Sequence, residues 1–302
     1  MNIGILGAGN IAATMATTLQ SLKNVTCYAV AAREKKRAQA FADKFGFQVA
    51  YGSYADMLSD PTVQAEEVIL EAREKGLLLT EAIWTRYMPM RLTIDAIIKS
   101  GIIGTPTSLS ANLGYPLEHK ERMVKLELCG GALLDLCVYP LNFASMVFGN
   151  DIVGISAECI KYKTGVDAQE TVMLKYADGK MATIYATMLA QSDRRGIING
   201  TNGYIEVENI NNPESVKVYN LERRVVQEIV APMQITGYEY EVISAIDAIM
   251  EGRVECPEMP HSETLFMMKL MDSIREAWGI KFPEEVEALQ SESKSTDEDE
   301  TE

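Results

Sequence analysis

Apolar and polar positions alternate in short blocks along the first half of the chain. Residues 2–6 form an apolar run that breaks into glycines, and a helical pattern then continues to about Leu22. Residues 25–32 have the length and β-branched content of a strand, and residues 34–45 mix charge with alanine as an exposed helix does, with Gly46 as its stop signal. This order of strands and helices predicts a parallel α/β sheet.

The alternation of predicted strands and helices stops before a second half of the sheet is complete. A brief strand at 47–50 and a short helix at 53–58 finish the first half. A doubly wound dinucleotide-binding fold then needs another βαβ half, yet residues 65–75 already have the pattern of a helix, which Gly76 ends, and residues 77–82 that of a late strand. The N-terminal sheet is therefore predicted to be Rossmann-like and incomplete.

Strands dominate the chain from about residue 106. A helix at 91–99 precedes them, and Asp178-Gly179 between two of them predicts a hairpin with a two-residue type I′ turn. The strands are predicted at 106–113, 152–163, 171–176, 181–189, 204–208, 215–219 and 224–230. Two helices close the domain, and the second, residues 262–278, has one apolar face.

The predicted fold class is α/β followed by α+β, with an acidic tail. Residues 1–88 form the incomplete parallel-sheet domain, and residues 89–283 form an open, mainly antiparallel sheet with helices. Residues 284–302 hold nine acids and one lysine, which is −8 of the formal net charge of −15. Such a run does not bury enough apolar surface to offset its ordering entropy, so we expect a disordered tail.

Charge and cysteine content argue against several classes of function. The body of the chain has no basic stripe of the kind that phosphate backbones need, so we expect no nucleic-acid partner. The five cysteines show no C-x-x-C spacing and the two histidines lie far apart, which argues against a metal site and for a reducing compartment. The first apolar run is too short for a signal peptide or a membrane span, so we expect a cytoplasmic protein without membrane contact.

A glycine-rich motif of the form G-x-G-x-x-A links the first strand to the first helix. Gly7 would make the tight turn, Gly9 would let a pyrophosphate approach the backbone, and Ala12 would permit close helix packing. The helix N-terminus favours the anion, so the motif predicts dinucleotide binding, with a tight turn alone as the alternative. Its residues are Gly7, Ala8, Gly9, Asn10, Ile11 and Ala12.

The end of the second strand indicates which dinucleotide is bound. An NAD site usually has an acid there that binds the ribose 2′-hydroxyl, whereas this chain has Ala31, Ala32 and Arg33. An arginine suits a 2′-phosphate, so NADP is predicted in preference to NAD. The alternative is that Arg33 caps the strand end or faces solvent.

Two further segments hold candidate site residues. Asp135 and Tyr139 lie four residues apart, which on a helix brings both to one face. A tyrosine hydroxyl can transfer a proton when a cation is near, although a buried core tyrosine is the alternative. Trp84 and Arg86 follow the late strand, at the sheet edge where α/β folds bind ligands, and either could equally be a packing residue.

Seven stretches, taken in order, resemble the Gfo/Idh/MocA oxidoreductase family, and within it the branch of dimeric dihydrodiol dehydrogenase and NADP-linked D-xylose dehydrogenase. They cover the chain from residue 2 to about residue 283. The stretches are IGILGAGNIA, AVAAREKKRAQAFADKFG, YGSYADMLSDP, AREKGLLLTEAIWTRYMP, GGALLDLCVYPLNFASMVFG, TGVDAQETVMLKYADG and GTNGYIEVEN.

The resemblance implies a Rossmann domain followed by an α+β domain whose open sheet commonly mediates dimerisation, so a homodimer is expected. It implies NADP binding through the glycine motif and Arg33, with Trp84 and Arg86 lining the cofactor site. Tyr139 falls on the family's catalytic tyrosine or histidine position, and Asp135 falls on the neighbouring acid.

One departure from the family lies at the junction of Gln64 and Ala65. At this point, members of the family continue with a strand, a helix and a strand that ends in a glutamate-lysine-proline motif. This chain passes directly from Gln64 to Ala65, so roughly 35 to 40 residues, about one and a half βα units, are absent. The resemblance implies that the lost lysine is the main catalytic cation, which positions the substrate hydroxyl and activates the tyrosine.

Two functions therefore compete. The first is an NADP-dependent oxidoreductase that transfers a hydride between nicotinamide and a hydroxyl or carbonyl carbon of a sugar, polyol or cyclic diol. The second is a catalytically silent relative that keeps the dimerising sheet and at most weak dinucleotide binding. The family resemblance supports the first function, and the absent lysine motif supports the second.

Overall fold

A computed structural model of the chain describes residues 2–23, 25–52 and 65–283. These residues form two compact units. Unit 1 contains the described residues up to Met88 together with Pro232–His261, and unit 2 contains Pro89–Ala231 and the described residues from Ser262 onward. The domain boundaries set from the sequence stay predictions, and residues 232–261 lie with unit 1. The predicted helix at 53–58, Gln64 of the junction and the acidic tail are outside the described residues.

Unit 1 contains a three-stranded parallel sheet in the order β1-β2-β3. This confirms the predicted parallel sheet at the N-terminus. Its elements in chain order are β1 (Asn2–Leu6), α1 (Asn10–Ser21), β2 (Thr26–Ala31), α2 (Lys35–Phe45), β3 (Val49–Tyr51) and, further along, α3 (Ala65–Glu74) and α7 (Glu239–Met250). Gly46, predicted to stop α2, has a positive φ of 73° and ends it in a left-handed cap.

Small and aromatic side chains hold the helices of unit 1 to its sheet. Ala16 and Ala38 are fully buried, which lets α1 and α2 lie close to the strands. Phe41 packs against the rings of Phe45 and Phe47 with centroid distances of 4.6 and 6.0 Å. Since α7 contributes Val242 to the same buried cluster, this core joins segments more than 200 residues apart in sequence.

The strand predicted at residues 77–82 is wrong. The structure has α3 followed by an irregular segment there, and its backbone reaches a loop through a 3.0 Å hydrogen bond from Leu79 N to Val254 O. His261 Nε2 also lies 2.9 Å from Leu79 O. Within the described residues no strand lies beside this segment, so the β-rich composition of LLLTEA has no ladder to join.

Unit 2 contains an eight-stranded sheet in the order β11-β10-β9-β8-β4-β7-β6-β5. All neighbours are antiparallel except β4 and β7, as predicted for a mainly antiparallel domain. The strands are β4 (Pro106–Gly114), β5 (Ile152–Lys161), β6 (Asp167–Tyr176), β7 (Met181–Thr187), β8 (Gly196–Gly200), β9 (Gly203–Glu208), β10 (Ser215–Asn220) and β11 (Val225–Val230). Sequence patterns missed β8 because its glycines at both ends resemble a turn.

The hairpin between β6 and β7 is confirmed, but its turn type is wrong. A type I′ turn needs positive φ at both central residues. Gly179 has a φ of 89°, whereas Asp178 is not among the residues with positive φ. Gly179 N donates to Tyr176 O at 3.0 Å, and Tyr176 N donates to Lys180 O at 3.0 Å. This is the longer kind of hairpin loop, in which one glycine takes the left-handed position.

Alternation along the strands separates the two faces of the large sheet. One face is buried and carries aliphatic side chains such as Leu113, Ile184 and Ile205, each at 0% exposure. Ser110 and Thr183 are exposed on the other face. The helices of unit 2 are α4 (Pro89–Lys99), α5 (Glu121–Val124), α6 (Val138–Phe148) and α8 (His261–Ala277), whose first residue belongs to unit 1.

One helical segment of unit 2, Leu126–Phe148, is long enough and apolar enough to cross a membrane. The structure buries 67% of its most apolar part inside the fold. A helix with this burial is typical of a protein core, so the segment is weak evidence for a membrane span.

Gly203 provides a test of the sheet in unit 2. Its φ is 152°, and a Cβ there would lie 2.1 Å from Tyr219 O. We expect Gly203→Ala to lower the free energy of unfolding by about 3 kcal/mol or more, because backbone strain and a backbone clash combine. Gly179→Ala is the matched control, since Gly179 also has positive φ but has no described atom within 4 Å of its added Cβ. It should cost only about 1–2 kcal/mol. Urea unfolding followed by circular dichroism measures both, and equal losses would contradict this account of the β9–β10 contact.

Candidate functional site

The turn after β1 depends on a glycine. Gly7 has a φ of 106°, a conformation that L side chains rarely adopt. Its N–H donates to Ala31 O at the end of β2, with a distance of 2.8 Å. The chain can therefore leave the sheet and enter α1 within three residues, as the motif predicts.

The backbone conformation at Gly9, unlike that at Gly7, does not require a glycine. Its φ of −98° and ψ of −169° are open to any residue, and an added Cβ would meet no described atom within 4 Å. The space in front of it is thus free for a ligand that approaches the backbone. The helix it precedes has no side-chain cap and no acid in its first turn, so the first N–H groups of α1 can bind an anion.

The remaining motif residues divide between solvent and core. Asn10 is exposed and Ile11 is 66% exposed, so both lie on the open side of the turn. Ala12 packs against the buried cluster of unit 1. This agrees with the role assigned to Ala12, because a small side chain there lets the helix lie close to the sheet.

Two arginines stand beside the glycine turn. Arg33 is exposed, directly after β2. Arg37, in the first turn of α2, donates from Nη2 to Ala8 O at 3.2 Å. Sequence analysis missed Arg37, and because Arg33 precedes the helix, no helical spacing rule connects the two arginines. Residues 33–37 hold four basic side chains and one acid, Glu34, so the net charge of this segment is positive.

Trp84 and Arg86 lie in a short 3₁₀ helix of unit 1 and are buried. The Trp84 ring packs against Tyr238 with a centroid distance of 4.5 Å. Arg86 Nη1 lies 3.5 Å from Glu258 O. Both side chains therefore have structural contacts within unit 1, and their role in lining a cofactor site stays a prediction.

Asp135 and Tyr139 lie in unit 2, where the helix is not regular. Residues Leu133–Cys137 form a π-helix that continues into α6. A π-helical turn holds more residues than an α-helical one, so a spacing of four no longer aligns two side chains as it does in an α-helix. Such wide turns are frequent at functional sites.

Asp135 forms an ion pair with an arginine that sequence analysis did not identify. Arg122 Nη1 lies 2.5 Å from Asp135 Oδ1, and Nη2 lies 3.0 Å from Oδ2, which is a two-pronged ion pair. The hydrogen bond to Asp135 raises the pKa of Arg122, and the charge of Tyr139 adds to this effect. Arg122 lies in α5, thirteen residues before Asp135, and no spacing rule of a single helix connects the two.

The buried carboxylate of Asp167 binds the first residue of the π-helix. Asp167 is 2% exposed and accepts the N–H of Leu133 at 2.5 Å. Burial raises the pKa of Asp167, while backbone N–H groups act in the opposite direction. An added Cβ on Gly131 would lie 2.3 Å from Asp167 Oδ1, so this glycine leaves the room that the carboxylate needs. The start of the Asp135 segment is therefore held in place by hydrogen bonding.

The predicted site residues thus form two groups. Gly7, Gly9, Asn10, Ile11, Ala12, Arg33, Trp84 and Arg86 all belong to unit 1. Asp135 and Tyr139, with the added Arg122, belong to unit 2. The first group offers a glycine turn with exposed cations, and the second offers a phenol with a paired guanidinium.

Comparison with known proteins gives the same division. A family model described as "Oxidoreductase family, NAD-binding Rossmann fold" matches residues 1–86, and one described as "GFO/IDH/MocA C-terminal domain" matches residues 92–206. Trans-1,2-dihydrobenzene-1,2-diol dehydrogenases from Mus musculus and Homo sapiens are each 28% identical, over 93% of this chain and 98% of their own length.

Solved structures show the same fold. KijD10, a 3-ketoreductase from Actinomadura kijaniata in complex with NADP and TDP-benzene, has a TM-score of 0.81 at 21% identity, over 91% of this chain and 97% of its own. Levoglucosan dehydrogenase in complex with NADH has a TM-score of 0.79 at 16% identity, over 92% of this chain and 97% of its own.

The mouse relative is also longer than this chain. The match to it extends over 332 residues but uses only 93% of a 302-residue chain. The relative therefore has roughly 50 residues, in total, that this chain lacks, which is more than one βαβ unit of about 30 residues. This agrees with the internal deletion expected from the family resemblance.

Gly9 distinguishes a ligand-binding role from a structural one. We expect Gly9→Ala to leave the melting temperature within about 2 °C, since the methyl group meets no described atom, and to weaken dinucleotide binding by about tenfold or more, because the methyl group occupies the space of the pyrophosphate. Gly154→Ala in β5 is the control, since its Cβ would make only ordinary contact at 3.5 Å. Thermal unfolding and a fluorescence titration with NADPH give the two readouts. A destabilised Gly9→Ala protein, or one that binds NADPH normally, would contradict the assignment.

Proposed function

This chain belongs to the Gfo/Idh/MocA family of oxidoreductases, and on that premise we propose that it is an NADP-dependent oxidoreductase. It would transfer a hydride between nicotinamide and a hydroxyl or carbonyl carbon of a sugar, polyol or cyclic diol. The observation that carries the proposal is the glycine turn of unit 1, where Gly9 leaves open space in front of an uncapped helix.

The preference for NADP rests on the charges beside that turn. Arg33 is exposed at the position where an NAD site has an acid, and Arg37 lies against the backbone of Ala8. Two guanidinium groups suit a 2′-phosphate, which they can bind through several hydrogen bonds. NAD is the less favoured cofactor, since Arg33 occupies the position that usually holds the acid for the ribose 2′-hydroxyl. The related folds do not decide the choice, because one was solved with NADP and another with NADH.

Unit 2 supplies the groups for proton transfer. When bound, the nicotinamide accepts or donates the hydride. We assign the proton to Tyr139, whose hydroxyl would take it from the substrate hydroxyl during oxidation and return it during reduction. Asp135 holds Arg122 through two hydrogen bonds, and this guanidinium would stabilise the negative charge on the phenol oxygen. Arg122 would thereby act as a positioning cation in a chain that lacks the lysine of the family motif.

The substrate class follows from the relatives and stays a proposal. The curated relatives are named for a cyclic diol, and the solved structures include a 3-ketoreductase and levoglucosan dehydrogenase. These names describe dehydrogenases or a ketoreductase, which act at a carbon that bears oxygen. A cyclic diol or a sugar is therefore the first compound class to test. A homodimer in the cytoplasm remains the expected form of the protein.

The second function, a catalytically silent relative, is favoured by one feature of unit 1. The resemblance places the glutamate-lysine-proline motif in the segment that this chain lacks at the junction of Gln64 and Ala65. About 50 positions of the match to the mouse relative also have no counterpart in this chain, which is more than one βαβ unit of about 30 residues. A silent relative would keep the sheet of unit 2 and at most weak NADPH binding.

Replacement of Arg33 tests the cofactor. We expect Arg33→Ala to weaken NADPH binding by about 10- to 100-fold and NADH binding by much less, because only NADPH has the 2′-phosphate. Arg224→Ala, which removes an exposed arginine of unit 2, should change neither affinity. Fluorescence titration measures both cofactors on the three proteins. Equal losses for NADPH and NADH would refute the role of Arg33 in selection.

Turnover separates the two functions. With NADP and a panel of cyclic diols, xylose and other sugars, we expect Tyr139→Phe to lower kcat by about 10²- to 10⁴-fold with unchanged cofactor binding. Arg122→Met should lower kcat by about tenfold, and Arg122→Lys should restore part of it because the charge returns. Steady-state kinetics and the NADPH titration give kcat and binding separately. Weak or absent NADPH binding together with no turnover on this panel would favour the silent relative instead.

A further inference from the structure

Unit 1 contains a cavity that the dinucleotide site does not use. Its volume is about 420 Å³, within the range of about 300–1,000 Å³ that is usual for small-molecule sites. It lies between β1, α1, α7 and the segment around Thr80–Tyr87. Most of its wall is hydrocarbon, from Ile3, Ile5, Met15, Leu19, Ile246 and Ile249.

The cavity follows from the free edge of β1. Among the described residues β1 pairs with β2 alone, and the cavity wall includes its residues Ile3, Gly4 and Ile5. Gly4 is exposed, as expected when no strand covers the other edge. None of the glycine-motif residues lines the cavity, so it is separate from the dinucleotide site at the end of the same strand.

One carboxyl oxygen of the cavity wall has no hydrogen-bonding partner among the described residues. Glu241 in α7 is 7% exposed, and its Oε2 accepts no hydrogen bond within the described part of the chain. Burial alone raises the pKa of Glu241 to about 7. A carboxylate buried in hydrocarbon and left unpaired costs free energy, which a cationic or donor group in the cavity would recover.

The other polar groups of the wall already have partners. The hydroxyl oxygens of Thr80 and Tyr87 lie 2.7 Å apart, and Tyr87 also donates to Glu81 O at 2.9 Å. A ligand therefore meets one polar group that needs a partner and an otherwise apolar surface. This arrangement defines a molecule with an apolar body and a single charged or donor group.

We propose that this cavity binds a compact apolar amine, with the ammonium group on Glu241 and the hydrocarbon body along Ile3, Ile5 and Ile246. The carboxylate and the ammonium complement each other in charge, and a charge-assisted hydrogen bond is about twice as strong as a neutral one. An extended peptide that adds to the free edge of β1 is the competing occupant. It is less favoured because a neutral backbone leaves the charge of Glu241 uncompensated.

Three rigid compounds of nearly equal shape test the proposal. Isothermal titration calorimetry on the full chain compares adamantylmethylamine, adamantylmethanol and adamantanecarboxylate at pH 8. We expect the amine to bind, the alcohol to bind about tenfold more weakly, and the carboxylate to show no binding because it would face Glu241. Equal affinity for all three would overturn the proposal, because the cavity would then select only for apolar bulk.

Variants in α7 locate the amine. Glu241→Gln should weaken amine binding by about tenfold and leave the alcohol nearly unchanged. Asp247→Asn is the matched control, since it removes the same charge from an exposed position of the same helix, and it should not affect the amine. Ile246→Trp should abolish binding of both compounds by filling the cavity. Circular dichroism checks that each variant is folded, so that a loss of binding is not a loss of fold.

Two results would contradict the proposal directly. Amine affinity that survives Glu241→Gln would place the amine elsewhere. A five-residue apolar peptide that binds at the cavity and displaces the amine, with an affinity unaffected by Glu241→Gln, would show that the free strand edge is the recognition element. The binding does not depend on the oxidoreductase proposal, and NADPH titration on the same samples reports on that function independently.

Discussion

The pairing of strand edges is the constraint on which both units depend. A strand has backbone donors and acceptors on two sides, and each side needs a partner or solvent. In unit 1 the parallel sheet has three strands, and β1 pairs on one side only within the described residues. Gly4 and Leu6 lie in the strand that a doubly wound sheet places centrally, and both are exposed. The cavity beside β1 and the isolated carboxyl group of Glu241 have the same origin.

Unit 2 meets this constraint with its own residues. Most of its sheet is antiparallel, so hairpins pair neighbouring strands over short distances in sequence. Its buried face can therefore be complete without the segment that the family resemblance marks as lost. The π-helix and its support by Asp167 lie on this sheet's own elements, which keeps Asp135 and Arg122 paired. The groups proposed for proton transfer depend on a complete core, whereas the groups proposed for cofactor binding depend on a sheet with a free edge.

One missing stretch thus has two physical consequences. In the family, as the resemblance implies, it supplies a strand of the parallel sheet and also the lysine beside the catalytic tyrosine. Its loss would weaken unit 1 and at the same time remove a cation. The role proposed for Arg122 would compensate only for the lost cation, because Arg122 lies in unit 2 and does not add a strand to unit 1. Stability of the cofactor unit and activity of the tyrosine are therefore separate questions for this chain.

Local patterns alone were enough for the strands and helices of unit 1 up to residue 51, for the glycine turn and for most strands of unit 2. Gly7 and Gly46 illustrate why, since their backbone conformations exclude most other residues and leave a clear mark in the sequence. The family resemblance also predicted a missing segment from the order of its motifs alone. These features depend on residues that are close together in the chain.

Tertiary structure decided the features that depend on distant neighbours. LLLTEA has the composition of a strand and forms none, because a strand exists only where another strand offers hydrogen bonds. Arg122 forms an ion pair with Asp135 from a separate helix. Glu241 lines the same cavity as β1, although the two are more than 200 positions apart in the chain. Pairing, burial and charge contact are properties of three-dimensional neighbourhoods, and a periodic pattern along one segment contains no information about which segment will lie opposite.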